Sequence, residues 1–394
     1  MTSRERVLTA MRNQVPDRVP VAPDISTYIP LKRTGLTDQE FWMGCRGNTP
    51  LWQAYLDAAD HFDLDAWTAP EFWVPAINEP AAVESKSRCD LDAARDAMVR
   101  TTTVKTPDGE LTQEEVCFRG DQPATTMKFI KDLTKDFRIF RHTQPMPKEL
   151  DRKTLEVFRQ ACQKRNYAFG VSISYPGFHM WNCYVHGGIE ALTYAEIDTP
   201  AILQEWFEWD LERGTRLMEL ALQANPDYIL FGGSGTITMA SPALAAKYAI
   251  PALKKWSRMA KEAGLPTMLH SCGKNRALAD MLVAETDVGM LNPLEVPPMG
   301  DIDLAEVKRT YGRRLAFMGN LHTTDVMLNG SPQLVRQKAI EAMRDAGRGG
   351  GFILSTGDQC GRDTPDENIF AIVETARKYG RYDQGTGQLP DLPS

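Results

Sequence analysis

The sequence lacks the features that mark a membrane protein, a secreted protein or a nucleic-acid binder. No apolar run approaches the roughly 20 residues of a membrane-spanning helix, and the opening segment MTSRERVLTAMRNQ contains no apolar signal-peptide core. Basic residues do not exceed acidic ones, since 45 Lys and Arg stand against 52 Asp and Glu for a formal charge of −7. A nucleic-acid binder usually carries a basic surface. We therefore expect neither a membrane nor a nucleic acid as a partner.

The cysteines also lack a pattern. There are seven of them, an odd number, and their spacings form no compact framework. This argues against a disulfide-stabilised secreted domain and favours a reducing compartment. We therefore predict a cytoplasmic protein in which most cysteines are small buried apolar side chains.

The chain instead alternates short apolar runs with amphipathic helical stretches over its 394 residues. Near-continuous apolar runs separated by helices are typical of a parallel sheet that is buried on both faces. No Gly-x-Gly-x-x-Gly motif follows an early run, which disfavours a dinucleotide-binding fold. Eight such units predict one (β/α)8 TIM barrel over residues 1–394. The runs are Val19–Asp24, Leu64–Ala69, Phe169–Ser174, Tyr228–Phe231, Pro266–His270, Val288–Leu294, Leu315–Leu321 and Gly351–Thr356.

The gap between the second and third runs is too long for a single helix and predicts an insertion at about residues 98–145. Within it, MVRTTTVKTPDGELTQEEVCFRG has two β-rich arms around the turn Pro107-Asp108-Gly109. This pattern predicts a β-hairpin. Because insertions at the C-terminal rim of a barrel often cover the active site, we expect the hairpin near the catalytic rim.

Candidate metal ligands follow the fifth and eighth runs. His270 and Cys272 end the fifth run two residues apart, so their side chains point to the same side. Imidazole and thiolate together suit zinc. Asp358 and Cys360 lie in the loop after the eighth run, at the same end of the predicted barrel. Either residue can supply a third ligand.

Two further strand ends carry candidate catalytic residues. Glu295 ends the sixth run, beside the strand of His270 and Cys272. Adjacent strands lie about 4.8 Å apart, so we predict Glu295 as a fourth ligand that substrate can displace. His322 ends the seventh run and is predicted to donate a proton to the leaving group. Asn320, in the same block, is predicted as a substrate contact.

Aromatic side chains are dense in the loops after the second and third runs. Such rings suit a flat aromatic substrate. The alternative is that they pack the loops against one another. The predicted substrate contacts here are Trp73, Tyr175, Phe178, His179 and Trp181.

At these motifs the chain resembles the uroporphyrinogen decarboxylase superfamily. Its His-x-Cys-Gly block resembles the zinc-dependent, corrinoid-linked methyltransferase branch, in which the His-x-Cys pair and a cysteine from the last strand bind zinc. That cysteine directly follows the glycine of the last strand in the branch, where this chain has Asp358. The resemblance thus leaves Cys360, preferred for its soft thiolate, or Asp358 as third ligand. The similar blocks are TSRERVLTAMRNQVPDRVPV, MLHSCGKN, FMGNLHTTDVMLNGSP and GGFILSTGDQCGRDTPDENI.

The resemblance implies methyl transfer from a small donor, here a methoxylated aromatic, to the cob(I)alamin of a separate corrinoid protein. Transfer from a methylcorrinoid to a thiol of the coenzyme M type is the first alternative. A metal-free decarboxylase is the second, and it is disfavoured because APDISTYIPLKRTG lacks the Arg-rich block of that enzyme. A non-catalytic barrel that only binds a ligand is the third. The sequence leaves a homodimer open.

Overall fold

The strands of the computed structural model fall into three sheets, and residues 1–44 and 49–393 are described. In chain order the strands are β1 Ala76–Asn78, β2 Glu84–Asp92, β3 Ala97–Thr106, β4 Gly109–Phe118, β5 Ala124–Met127, β6 Pro147–Leu150, β7 Gly170–Ser174, β8 Tyr228–Gly232, β9 Thr267–His270, β10 Met290–Asn292, β11 Ala316–Leu321 and β12 Phe352–Thr356.

The helices connect and cover these strands, and several begin at residues that satisfy the free amides of the first turn. Thr2 with Glu5, and Thr37 with Glu40, form such reciprocal caps. A 3-10 turn spans Ala69–Glu71, and π-helical turns span Ala245–Ala249, Thr323–Leu328 and Met343–Gly347. In chain order the α-helices are α1 Ser3–Met11, α2 Tyr28–Thr34, α3 Asp38–Trp42, α4 Leu51–Phe62, α5 Leu133–Arg141, α6 Arg152–Arg165, α7 Phe178–Trp181, α8 Gly188–Asp198, α9 Pro200–Ala224, α10 Pro242–Leu244, α11 Ile250–Glu262, α12 Arg276–Glu285, α13 Leu304–Tyr311, α14 Pro332–Ala342 and α15 Asp366–Tyr379.

The largest sheet has six parallel strands in the order β12-β11-β10-β9-β8-β7. Each strand coincides with one of the last six apolar runs of the sequence, with β8 one residue longer than its run, and nearly all of their residues are buried. Asn292 of β10 is the register partner of His270 of β9, so both strands end at the same edge. The structure therefore confirms an α/β fold with a parallel sheet.

The first two apolar runs are extended segments that hydrogen-bond to the two edges of this sheet. At one edge, the Ala22 amide donates to the Leu354 carbonyl over 2.9 Å. At the other edge, Trp67 forms a parallel bridge with Ala168. The Asp65 amide donates to the Val21 carbonyl over 2.9 Å, which links the two segments to each other.

A buried ion network holds these two segments and α1 together. The Asp65 carboxylate accepts hydrogen bonds from Arg6 and Arg18, each over 2.7 Å, and from the Val21 amide over 3.0 Å. The Asp65 side chain is only 2% exposed. Two guanidinium groups and a strand amide therefore donate hydrogen bonds to the same carboxylate.

We expect Asp65→Ala to lower the free energy of unfolding by about 3–5 kcal/mol, because the buried Arg18 guanidinium loses its carboxylate partner while Arg6 keeps only Asp17. The measurement is chemical denaturation followed by circular dichroism. Asp92→Ala is the control, since Asp92 pairs with Arg95 at an exposed turn. Equal denaturation midpoints for the two variants would contradict the role of Asp65.

The inserted segment forms an antiparallel sheet in the order β2-β3-β4-β5. Strands β3 and β4 form a hairpin around the Pro107-Asp108 turn, with Thr106 opposite Gly109. The sheet begins at Glu84, earlier than the expected boundary near residue 98, because β2 is polar and exposed and has no apolar alternation. The Arg362 guanidinium donates to the Gly120 carbonyl, so this sheet contacts the loop after β12.

No helix within residues 1–44 and 49–393 has both the length and the apolar character that a membrane span needs.

Candidate metal centre

Three side chains meet at the carboxyl ends of the parallel strands, and they are called the metal set here: His270, Cys272 and Asp358. Their ligand atoms all lie within 4.8 Å of one another, and each residue is half-buried. The Cys272 Sγ lies 3.2 Å from the His270 Nε2 and 3.3 Å from the Asp358 Oδ1. Ligands of a tetrahedral zinc ion lie about 3.5 Å apart. Imidazole, thiolate and carboxylate in this arrangement fit zinc in chemistry and in size.

Segments that follow two non-adjacent strands bring the metal set together. His270 ends β9 and Cys272 follows it, whereas Asp358 lies in the loop after β12. Strands β10 and β11 separate β9 from β12, so a flat sheet would place these ends about 14 Å apart. The 3.3 Å contact between Cys272 and Asp358 therefore shows that the segments after β9 and β12 converge above the strand ends.

Asn292, which the sequence analysis missed, orients His270. The Asn292 Nδ2 donates to the Met318 carbonyl over 3.3 Å, which turns its Oδ1 toward the His270 Nδ1 at 2.5 Å. Nδ1 thus carries the proton, and the lone pair of Nε2 faces Cys272. An asparagine at the end of a buried strand, in register with a candidate histidine ligand, is a sequence signal that could have found it.

We expect Asn292→Ala to weaken zinc binding by about 10–100-fold, because the imidazole loses the acceptor that fixes its orientation. Competition with a chromogenic chelator measures this change. Asn292→Asp retains an oxygen opposite Nδ1 and should keep most of the affinity. Unchanged zinc affinity in Asn292→Ala would show that Asn292 does not orient the ligand.

Two neighbouring loops shape the surroundings of Cys272. Ser234, in the loop after β8, donates to the Cys272 Sγ over 3.2 Å. Gly273 has a φ of +81°, and a Cβ at this position would collide with Thr238. Only glycine lets the chain turn here while its amide donates to the Glu295 carboxylate.

Glu295 is buried beside the metal set and does not belong to the three mutually close ligands. Its Oε2 accepts the hydrogen bond from the Gly273 amide. Burial raises the pKa of Glu295, the Gly273 hydrogen bond opposes this shift, and the charge of Asp358 adds to it. The expectation that Glu295 supplies a fourth ligand therefore remains a proposal.

Cys360 lies apart from the metal set. It is fully buried in the main core, and its amide donates to the Asp24 carbonyl over 2.8 Å. Burial, followed by the nearby Asp24, raises the pKa of its thiol. The sequence-based preference for Cys360 over Asp358 is therefore not supported by this geometry, because the loop after β12 turns Asp358 toward Cys272 and Cys360 into the core.

The metal set is acidic and poorly solvated. Burial raises the pKa of the Cys272 thiol, and Asp358 and Glu295 raise it further. Asp24 is buried at the end of the first extended segment, and burial and then Asp358 raise its pKa. A thiolate among these carboxylates needs a cation beside it.

The predicted proton donor His322 caps the π-helical turn Thr323–Leu328. Its Nδ1 accepts hydrogen bonds from the amides of Thr324, over 3.2 Å, and Asp325, over 3.0 Å. His322 and Asn320 both line a cavity of about 420 Å³ that none of the metal set lines. His322 is not one of the three mutually close ligands, and the predicted roles of His322 as proton donor and of Asn320 as substrate contact remain proposals.

The aromatic residues separate into packed and accessible rings. Phe178, His179 and Trp181 are buried, and their rings contact Tyr175 or one another within the loop region. Burial lowers the pKa of His179 to about 3, so the ring is neutral. Trp73 is 56% exposed. Three of the six predicted substrate contacts, Trp73, Tyr175 and Trp181, line one cavity, described below.

Comparison with known proteins connects this site to a family. The family described as Uroporphyrinogen decarboxylase (URO-D) matches residues 215–379, which include the whole metal set. A uroporphyrinogen decarboxylase from Microcystis aeruginosa is 28% identical over 138 residues, or 34% of this chain and 37% of that protein. The Methylcobamide:CoM methyltransferase MtbA from Methanosarcina mazei is 34% identical over 134 residues, or 34% of this chain and 36% of that protein.

These alignments cover little more than a third of the relatives' own length, and 21% of a uroporphyrinogen decarboxylase from Coxiella burnetii. A solved structure titled as a methyltransferase from Methanosarcina mazei is similar over a longer range. It covers 96% of this chain and 99% of its own, with a TM-score of 0.63 and 18% identity. At this identity the similarity is one of fold.

Proposed function

We propose that this chain is a zinc-dependent methyltransferase of the uroporphyrinogen decarboxylase superfamily. In this proposal a methyl group moves from a small donor, a methoxylated aromatic, to the cob(I)alamin of a separate corrinoid protein. The observation that carries it is the metal set, because a thiol, an imidazole and a carboxylate meet at strand ends. A decarboxylase that uses no metal does not require this combination.

His270, Cys272 and Asp358 would hold the ion, with Glu295 beside them for a fourth position. Bound zinc would supply Lewis acidity toward a donor oxygen, which makes the leaving group depart more easily. The chain's own residues orient the ligands: Asn292 fixes the His270 imidazole, and the Gly273 amide holds the Glu295 carboxylate.

We also infer that the parallel sheet closes into a (β/α)8 barrel. Its two edges are hydrogen-bonded to Val19–Asp24 and Leu64–Ala69, and these segments are hydrogen-bonded to each other. The contact between Cys272 and Asp358 across the strand ends supports the same closure. The inserted sheet then lies at the catalytic rim, as its contact with Arg362 suggests.

In a second candidate function, the methyl group moves from a methylcorrinoid to a thiol acceptor. The name of the MtbA relative, a methylcobamide:CoM methyltransferase, favours it. Zinc lowers the pKa of a bound thiol, so the same metal set suits that chemistry. The two directions use the same ligands and differ in the organic partner.

A pair of corrinoid assays tests the proposal and separates the two directions. Purified zinc-loaded protein is mixed with cob(I)alamin and a panel of methoxylated aromatics, and separately with methylcobalamin and coenzyme M. The corrinoid absorbance reports each transfer. We expect turnover in the first assay and its loss in Cys272→Ala, with Cys183→Ala as control because Cys183 is exposed and outside the metal set.

Turnover in the methylcobalamin assay alone would establish the second candidate instead. Activity that is independent of zinc in both assays, or decarboxylation of a porphyrinogen by the same protein, would refute a zinc-dependent methyltransferase.

A further inference from the structure

A second cavity lies beside β7, and none of the side chains of the metal set lines it. It encloses about 440 Å³ and is bounded by residues of β1, β7 and α9. Cavities that bind small organic ligands usually enclose about 300–1,000 Å³. The volume is therefore sufficient for a single-ring compound with one or two substituents.

Aromatic rings form much of the wall. Phe140 and Tyr184 contact each other with ring centroids 4.7 Å apart, and the Trp181 indole packs behind them against α9. Trp209 also lines the cavity, and the exposed ring of Trp73 lies at it. A cavity walled by the faces and edges of several rings favours the binding of a flat aromatic ligand.

Two charged side chains from consecutive turns of α9 enter the wall, Asp210 and Arg213. The Arg213 Nε donates to the Pro145 carbonyl over 3.3 Å, which fixes the guanidinium plane. Among the described residues, Arg213 makes no salt bridge, and no hydrogen bond of its Nη atoms is seen. Burial lowers the pKa of Arg213, and a guanidinium remains charged in proteins.

Asp210 does not cancel this charge at neutral pH. Its Oδ2 accepts a hydrogen bond from the Trp181 Nε1 over 2.7 Å. Burial raises the pKa of Asp210 to about 7, against the opposing effects of Trp181 and Arg213. Near neutrality the carboxyl is therefore about half protonated, and the cavity carries net positive charge.

We propose that this cavity binds a small aromatic carboxylate, with its ring among the indole and phenyl rings and its carboxylate on Arg213. A carboxylate satisfies the unpaired guanidinium donors through charge-assisted hydrogen bonds, which a neutral ring cannot form. A cationic ring is repelled by Arg213. The combination of rings and a single unpaired guanidinium selects this class of ligand.

The cavity is connected to the loop that carries the metal set. Tyr175 lines the cavity, and its hydroxyl is 2.6 Å from the Thr236 hydroxyl. Ser271, between His270 and Cys272, donates to the same Thr236 hydroxyl over 3.0 Å. An aromatic acid in the cavity therefore contacts a residue two hydrogen bonds from the metal loop. The inference does not rest on the proposed methyl transfer, because binding is measured without any corrinoid.

Isothermal titration calorimetry at pH 6, where the Asp210 carboxyl is mostly protonated, tests the proposal with three single-ring probes: benzoate, benzyl alcohol and benzylamine. We expect benzoate to bind and the other two to bind at least about tenfold more weakly, the effect of one charge-assisted hydrogen bond. Arg213→Met should lose benzoate affinity by a similar factor. Arg258→Met is the matched control, since Arg258 pairs with Asp287 on the surface of α11.

Asp210→Asn provides an independent test, because the asparagine keeps an oxygen that can accept the hydrogen bond of the Trp181 indole. At pH 8 the wild-type carboxyl is mostly ionised, so its neutral replacement should bind benzoate several-fold more tightly. Thermal melting checks that each variant is folded. Equal affinity for benzoate and benzyl alcohol, wild-type benzoate affinity in a folded Arg213→Met, or unchanged affinity in Asp210→Asn would each overturn the proposal.

Discussion

Cys272→Ala is expected to reduce bound zinc from about one ion per chain to almost none. Cys272 is the central member of the metal set, because its sulfur is the atom that contacts both His270 and Asp358. Without it, the imidazole and the Asp358 carboxylate remain with only the exchangeable Glu295 beside them, and a set that has lost its thiolate does not hold zinc against a chelator. Elemental analysis of protein dialysed against a weak chelator measures the change.

Cys360→Ala is the matched control for this experiment. Both residues are cysteines beside the same strand ends, and burial raises the thiol pKa of both. Cys360 is enclosed in the core, so its replacement should lower stability and leave zinc stoichiometry near one. Loss of zinc from Cys360→Ala with retention in Cys272→Ala would restore the ligand assignment that the sequence alone favoured.

The contrast between these two cysteines shows which ligand assignments a local sequence pattern can predict. His270 and Cys272 could be assigned together, because a two-residue spacing at a strand end places both side chains on one side. The choice between Asp358 and Cys360 depends on how an irregular loop turns after β12. No periodicity governs such a loop, and only the structure shows which side chain faces Cys272.

The same limit applies to the fold. The six parallel strands follow apolar runs that are buried on both faces, and sequence located each of them. Strand β2 carries no such signal, since it is stabilised by pairing with β3 while its side chains stay exposed. Whether an aromatic ring is buried or exposed also depends on distant elements: α9 buries Trp181, whereas Trp73 stays exposed.

The contacts of the Glu295 carboxylate predict that it acts at the metal set, and a substitution can test this role. Its carboxylate is held beside the metal set by the Gly273 amide, directly after Cys272. It is buried, and burial raises its pKa. The charge of Asp358 raises this pKa further, whereas His270 lowers it. We propose that this carboxylate would supply an exchangeable fourth ligand to the ion.

Glu295→Gln should therefore keep more than half of the bound zinc and lower turnover by about 100-fold or more, the range found for loss of a group that acts at the reacting centre. The amide oxygen of glutamine can still accept the Gly273 hydrogen bond, so the loop of Cys272 keeps its conformation. The neutral amide is a poorer zinc ligand than the carboxylate, and it carries no negative charge to balance the charge of the ion. Zinc content and steady-state turnover are measured on the same preparation.

Glu306→Gln is the control for this substitution, because Glu306 pairs with Arg276 at the surface and lies outside the metal set. It should change neither zinc content nor turnover. Near-normal turnover in Glu295→Gln would remove Glu295 from the reacting centre and leave it as a support for the Gly273 turn. Complete loss of zinc in that variant would instead make Glu295 a permanent ligand, since an exchangeable position is not required to retain the ion.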